Sequence, residues 1–324
     1  MKDFEHVNAL TVPSAIRLLS YGGVARLIAG GTDLLGEMKA GIVAPDRLVN
    51  VKTIPYLGDI GFDEAGGLRL GALATLDAIA GHDVVRRRYP ALAEAILSAA
   101  SPQLRNRGTV GGNLGQDSRC WYYRGPFHCW LKGGDICYAK DGENTYQAIF
   151  AGGPCYTVHP SDLAPALIAL GAEVRIVGPR VERALPLEQF FQKPREGDRR
   201  LTVLRPSEII VEIRIPTPAT GSRGTYLKAM DRKAWAFALA GVAAQVAIDG
   251  GTVRDIHLVL SGVAPTPWRV PDAEAAIRGQ RLDDDAIGRA ADLAVAGAQP
   301  LSHNGYKIPL VKGLVREALV GLRG

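Results

Sequence analysis

Residues 28–35 read Ile28-Ala29-Gly30-Gly31-Thr32-Asp33-Leu34-Leu35. The apolar run Ala25-Arg26-Leu27-Ile28-Ala29 leading into them predicts a buried strand, and Leu34-Leu35 opens a helix-like segment ending near Gly41. A strand that breaks on paired glycines and restarts as a helix lets the backbone approach a ligand closely. Successive N–H groups in such a turn can cradle a diphosphate. Thr32 and Asp33 add a hydroxyl and a carboxylate. A plain strand-to-helix turn accounts for the same letters, so this motif alone leaves both readings open.

Working outward, Thr109-Val110-Gly111-Gly112-Asn113 repeats the pattern of small residues, paired glycines and polar donors. Two such loops in one half of a chain strengthen the case for a large dinucleotide. Neither G-x-G-x-x-G nor G-x-x-x-x-G-K-[ST] occurs, which disfavours a Rossmann NAD site and P-loop ATP hydrolysis.

Between this second loop and residue 156 lie all four cysteines of the chain, Cys120-x8-Cys129-x7-Cys137-x17-Cys155. Cysteines used only for packing would scatter. Four clustered thiolates suit tetrahedral zinc or a cubane iron–sulfur cluster. Structural zinc usually takes two short Cys-x2-4-Cys knuckles, and none is present, so the iron–sulfur reading leads, with zinc, disulfides and free thiols as alternatives. His128 and His159 lie nearby but are read as non-ligands, since four thiols complete a set.

The remaining pattern is α+β in two unequal parts. Helices are predicted over 12–21, 91–100, 162–170, 272–278, 284–296 and about 308–322. Strands are predicted over 48–51, 68–72, 173–177, 208–215, 224–229 and 256–263. The expected domains are 1–178, carrying a cysteine loop at 117–156, and 179–324. Lys228 reads either as a surface strand lysine or as a charge beside a ligand. Trp235 reads as core or as an aromatic lid on a flat cofactor ring. Ser161-Asp162 reads as a helix cap.

Of the 324 residues, 47% are hydrophobic and 22% charged, and the net charge is +5. Basic residues are dispersed and lack an aromatic stacking platform, which argues against nucleic acid as partner. No apolar run reaches the ~18 residues that span a bilayer. The first residues, MKDFEHVNALTVPSAIRLL, lack the apolar core of a secretory signal. The expectation is a soluble cytoplasmic protein with no membrane span, or a periplasmic one if exported with a partner.

Ile28–Leu35, Arg107-Gly108-Thr109-Val110-Gly111-Gly112-Asn113-Leu114, Ser161-Asp162-Leu163, Tyr226-Leu227-Lys228 and Ala238-Leu239-Ala240-Gly241-Val242-Ala243, in that order, resemble the FAD-binding medium subunit of the xanthine dehydrogenase / carbon monoxide dehydrogenase family of molybdenum hydroxylases. The resemblance covers essentially the whole chain. It implies an N-terminal vanillyl-alcohol-oxidase-type (PCMH-type) FAD domain of two small lobes and a C-terminal α+β domain like that of the CO dehydrogenase flavoprotein. The cysteine segment resembles the subclass with an extra [4Fe-4S] loop, represented by an aldehyde oxidoreductase FAD subunit and the 4-hydroxybenzoyl-CoA reductase beta subunit. The surroundings of Trp235 and of Trp268 are similar to the aldehyde oxidoreductase branch.

The resemblance implies FAD held by Leu27, Ile28, Ala29, Gly30, Gly31, Thr32, Asp33 and Leu34 together with Thr109, Gly111, Gly112 and Asn113. Asp162 would face the adenosine side, Lys228 the flavin pyrimidine and Trp235 the isoalloxazine, where family members carry Ile or Tyr. Cys120, Cys129, Cys137 and Cys155 would ligate the cluster. The implied function is an oxidoreductase subunit that relays electrons and has no acid–base residue of its own. Its partners would be a large molybdenum-cofactor subunit, a small [2Fe-2S] subunit and an external carrier such as ferredoxin. A reductive enzyme of the 4-hydroxybenzoyl-CoA reductase type is the alternative within this class, and a zinc- or nucleotide-binding module the alternative outside it.

Overall fold

The computed structural model describes residues 1–323. Its first helix, α1 (Val12–Ser20), is closed by a capping box. Thr11 Oγ1 accepts from the Ser14 N–H, Ser14 Oγ accepts from the Thr11 N–H, and Pro13 sits in the first turn. This helix packs Ala15 and Ile16 against Ala25 and Val49. Those residues belong to a parallel sheet ordered β1-β3-β2, made of β1 (Glu5–Asn8), β2 (Ala25–Ile28) and β3 (Arg47–Asn50). Helix α2 (Leu34–Lys39) leaves β2 across the first glycine turn.

A second lobe is an antiparallel sheet ordered β4-β5-β8-β6-β7, from β4 (Ile60–Asp63), β5 (Gly67–Gly71), β6 (Glu173–Val177), β7 (Glu182–Pro186) and β8 (Ile209–Ile215). Between β5 and β6 the chain forms α3 (Leu76–Gly81), α4 (Asp83–Arg88), α5 (Pro90–Ser98), α6 (Pro102–Arg105), α7 (Val110–Leu114), α8 (Trp121–Arg124) and α9 (Leu163–Ala169). Leu92 and Ile96 of α5 and Leu163 and Leu167 of α9 share a core with Leu68, Val174 and Ile213 of the sheet. The division expected at residue 178 cuts through this sheet. Strand β8 is hydrogen-bonded between β5 and β6, so the first part runs on to Ile215.

The C-terminal part is an antiparallel sheet ordered β12-β11-β10-β9, from β9 (Ser222–Ala229), β10 (Ala240–Asp249), β11 (Thr252–Ser261) and β12 (Trp268–Arg269). Gly250 and Gly251, with φ of 55° and 81°, make the tight turn between β10 and β11. Helices α10 (Pro271–Ile277), α11 (Asp284–Leu293) and α12 (Lys307–Gly321) cover one face, burying Val242, Val246 and Leu258. From the other face, Tyr226, Ala243 and Val259 join the core of the second lobe. Strand β10 is therefore buried on both faces. Its sequence, AGVAAQVAID, has no two-residue alternation, and periodicity does not reveal it as a strand. Among the described residues no helix is long and apolar enough to cross a membrane.

Candidate functional site

All three sheets contribute to one cleft of about 1250 Å³, with Leu27 of β2, Ile210 of β8 and Ser261 of β11 in its walls. Sites for drug-sized ligands commonly occupy about 300–1,000 Å³, so this cleft has room for an extended dinucleotide.

The two glycine loops meet at its floor. A Cβ built on Gly30 would lie 1.9 Å from the Arg107 carbonyl oxygen, so only glycine permits this contact between the loops. Gly31 has a φ of 74°, a left-handed conformation that glycine adopts without strain. The second loop is fixed to the chain after β5 by Val110 N–H to Ala74 O (3.0 Å) and Gly111 N–H to Ala72 O (2.9 Å). A Cβ on Gly111 would come within 2.9 Å of that same Ala72 oxygen. Thr109 Oγ1 accepts from the Gly112 N–H and caps α7. Among the described residues the N–H groups of Gly30, Gly31, Thr32 and Asp33 meet no backbone acceptor. A run of unengaged donors on a glycine turn, open to a large cleft, fits the diphosphate of a dinucleotide.

Leu27, Ala29, Gly30, Gly31, Thr32, Asp33, Leu34, Thr109, Gly111, Gly112, Asn113, Asp162 and Trp235 all line the cleft. Ile28 does not. It is buried with Met38 and Leu48 on the other side of β2. Trp235 sits at the mouth and is 62% exposed, so it is not core. Its φ of 52° is unusual for a bulky residue, and its carbonyl accepts from Arg232. Lys228 does not line the cleft either. Its Nζ lies 2.8 Å from Asp162 Oδ2 and donates to Ser98 O, while Tyr226 donates to Asp162 Oδ1 at 2.7 Å. Burial pulls the Asp162 carboxyl above the usual carboxylate range, against the opposing effect of Lys228 and Tyr226. Asp162 and Lys228 were expected at opposite ends of the ligand. They form one buried pair and belong to one end. Ser161, rather than Asp162, caps α9, accepting from Ala164 N–H and donating to Asn113 Oδ1.

Asp33 turns away from the role expected of a free carboxylate. It accepts from the Asp117 N–H (2.9 Å), Arg119 (2.9 Å) and Arg124 (2.8 Å), all from the cysteine segment. Arg124 also reaches Glu37 at 3.4 Å. Glu37 is buried, and burial, aided by the charges of Asp117 and Asp33, pushes its carboxyl up to about 8. Burial raises the Asp117 carboxyl too.

The cysteine segment has two further braces. Arg199 stacks over Trp130, 4.6 Å from the ring centroid, and donates to Gly134 O, while Glu196 accepts from Trp130 Nε1. On the far side the chain between α11 and α12 holds residues 139–149. Asn144 Nδ2 donates to Ser302 Oγ, Asn304 Nδ2 donates to Gln147 O and Ala148 O, and Lys307 Nζ donates to Tyr146 O and Gly262 O. Asn144, Asn304 and Lys307 are fully buried. None of these partners was legible in sequence, with one exception. Lys307 lies four residues before Val311 and so falls on the apolar face of α12, an unusual place for a lysine.

All four cysteines are free thiols. The Cys137 and Cys155 thiols perturb each other's ionisation, and Cys120 pushes the Cys155 thiol up as well. Cys155 holds the Cys137 thiol down at about 6, while contact with Cys137 and burial push Cys155 up. Among the described residues Cys120 Sγ accepts a hydrogen bond from Gln147 Nε2 at 3.4 Å. Cys129 is buried beside the Trp130–Lys132 turn and takes no part in these thiol contacts. The expected four-thiolate set is not assembled into a metal site in this structure. Among the described residues no three His, Cys, Asp or Glu side chains are placed to hold a metal ion. Of the four cysteines only Cys120 lines the cleft.

Comparison with known proteins places this geometry. A family described as the FAD binding domain in molybdopterin dehydrogenase matches residues 2–218, and the CO dehydrogenase flavoprotein C-terminal domain matches 225–321. The two matches part between Ile215 and the body of β9, where the sheets part as well. The chain is thus an FAD-binding oxidoreductase subunit. It belongs to the family of FAD-binding medium subunits of xanthine dehydrogenase and carbon monoxide dehydrogenase.

The aldehyde oxidoreductase FAD-binding subunit PaoB of Escherichia coli is 36% identical over 305 residues, 92% of each chain. The carbon monoxide dehydrogenase medium chain of Hydrogenophaga pseudoflava is 30% identical over 322 residues, 98% of this chain and 96% of that one. A solved carbon monoxide dehydrogenase from Hydrogenophaga pseudoflava superposes with a TM-score of 0.78 over 98% of this chain and 96% of its own, at 30% identity. One from Oligotropha carboxidovorans superposes with a TM-score of 0.79 over 99% and 98%, at 25% identity.

Proposed function

We propose that this chain is the electron-transfer subunit of an aldehyde-oxidising, molybdenum-containing complex, holding FAD in the cleft and a [4Fe-4S] cluster on Cys120, Cys129, Cys137 and Cys155. The observation that carries the FAD assignment is the contact of the two glycine loops at Gly30, with unengaged N–H donors above it. Flavin, when bound, supplies one- and two-electron redox chemistry. The chain's own residues do the rest. The glycine loops take the diphosphate and ribityl chain, and Asp162, paired with Lys228, faces the cleft.

What supports the cluster assignment is that all four cysteines of the chain fall within residues 120–155, with Cys129 and Cys155 buried. Two features support a multi-chain enzyme. Relatives are named as medium chains, and this chain has no second cysteine set to hold further clusters. The proposed partners are a large molybdenum-cofactor subunit, a small [2Fe-2S] subunit and an external ferredoxin-like carrier. The likeness to PaoB favours an aldehyde as substrate of the complex.

Anaerobic purification from the native host tests this reading. The expected preparation contains FAD, about four iron atoms per chain and two accompanying subunits, and Cys137→Ser removes the iron while FAD stays bound. A colourless protein with stoichiometric zinc, or a flavoprotein free of iron, overturns it.

A further inference from the structure

We propose that Arg119 is a second anchor for the FAD diphosphate, its guanidinium carrying the positive charge that the glycine loops lack. The inference rests on the FAD reading above. The two loops offer backbone donors and no cation, and the first of them carries an acid. Asp33, two residues after Gly31, lines the same cleft. A diphosphate beside a bare carboxylate is repelled by it. Two arginines meet that carboxylate, Arg119 at 2.9 Å and Arg124 at 2.8 Å. Burial draws the neighbouring acids Glu37 and Asp117 upward, Glu37 to about 8, so they oppose an anion less than free carboxylates would.

The two arginines are not equivalent. Arg124 does not line the cleft, and its donors are spent inward on Ser118 O (2.6 Å), Asp33 and Asp117 O (3.3 Å). Arg119 lines the cleft. Its Nη2 meets Asp33 and, at 3.2 Å, Gln116 Oε1, while its Cζ lies 5.4 Å from the ring centroid of Phe237, in the chain between β9 and β10 at the cleft mouth. Its Nε is buried and has no acceptor among the described residues. An unpaired buried N–H costs free energy, and a phosphate oxygen is the acceptor that a guanidinium fork matches. Burial outweighs the pull of Asp33 and lowers the Arg119 guanidinium from its ordinary value, as befits a cation short of negative partners.

The other arginines of the cleft wall are less suited. Arg200 is held by Asp198 at 2.8 and 2.7 Å, and Arg232 by the Trp235 carbonyl at 2.8 Å. Arg26 and Arg205 are exposed, so water and salt screen their charge.

The test uses the purified full chain stripped of flavin, as wild type, Arg119→Gln, Arg119→Met and Arg119→Lys. Each is titrated by flavin fluorescence with FAD and with riboflavin, which has the same ring system and no phosphate. The expected result is a loss of about tenfold in FAD affinity in Arg119→Gln, with riboflavin affinity unchanged. Arg119→Lys, which keeps the charge, should recover most of that loss. Arg119→Met keeps the apolar stem against Phe237 and gives the same reading should the glutamine chain not fold. FAD affinity equal to wild type in the uncharged variants overturns the assignment. An equal loss for both ligands also overturns it, because Arg119 would then shape the cleft rather than meet the phosphates. A wild-type chain that binds neither flavin overturns the FAD reading itself.

Discussion

Lys228 Nζ stands 2.8 Å from Asp162 Oδ2, with the two side chains only 2% and 6% exposed. Lys228 comes from β9 and Asp162 from the start of α9, so the pair joins the C-terminal part to the helices of the second lobe at the wall of the cleft. Lys228→Met leaves a buried carboxylate without its cation. The expected cost is about 3–5 kcal/mol of stability, read from urea denaturation. Combining it with Asp162→Asn should recover a large part of that loss, because no buried charge is then left unpaired.

Gly30→Ala places a methyl group against the Arg107 carbonyl and forces the two glycine loops apart. Overpacking of this kind costs about 1–3 kcal/mol. Because the strain falls on the loops proposed to hold FAD, the expectation is a loss of about tenfold or more in FAD affinity, measured by flavin fluorescence. Gly36→Ala is the control, since a Cβ there meets nothing within 4 Å.

Glu37 sets a pH dependence. Its carboxyl titrates near 8 in the folded chain against a reference value of 4.5. Between those values the folded state holds the proton and the unfolded state has lost it. Stability therefore falls as pH rises from about 4.5 to about 8. Glu37→Gln should flatten this part of the stability curve, measured as urea midpoints across that range. An unchanged slope would count against a protonated Glu37.

Lys307 has the opposite sign. Burial holds its amine down at about 7, against 10.5 in the open chain. Between these values the unfolded state binds the extra proton, so its contribution to stability rises with pH from about 7 upward. Lys307→Met removes that rise. It also strands the Tyr146 and Gly262 carbonyls, which costs about 1–3 kcal/mol for each buried group. Calorimetry at pH 7 and pH 9 reads both effects.

Asn304→Ala tests whether the C-terminal part braces the cysteine segment. The Gln147 and Ala148 carbonyls lose their donor. Faster amide exchange confined to residues 144–149 is expected, with the sheet of β9 to β12 unchanged. Exchange that stays slow in that stretch would show that Asn144 and Lys307 hold it without Asn304.

The sequence by itself determined the local elements and the residue types at the site. Glycine pairs that must lie close to another backbone leave a mark in the letters, as do a capping Thr11, the apolar stripe of α12 and four thiols confined to 36 residues. Each depends on near neighbours in the chain. Tertiary structure alone decided the rest. It placed β8 inside a sheet assigned to the first part and made a strand of β10 by burying both its faces. It also paired Lys228 with Asp162 and bound the Asp33 carboxylate, at the wall of the cleft, to Arg119 and Arg124. Those outcomes come from charges that must be neutralised when they are buried and from polar groups that must find partners. The partners arrive from dozens to more than a hundred residues away, beyond the reach of any local pattern.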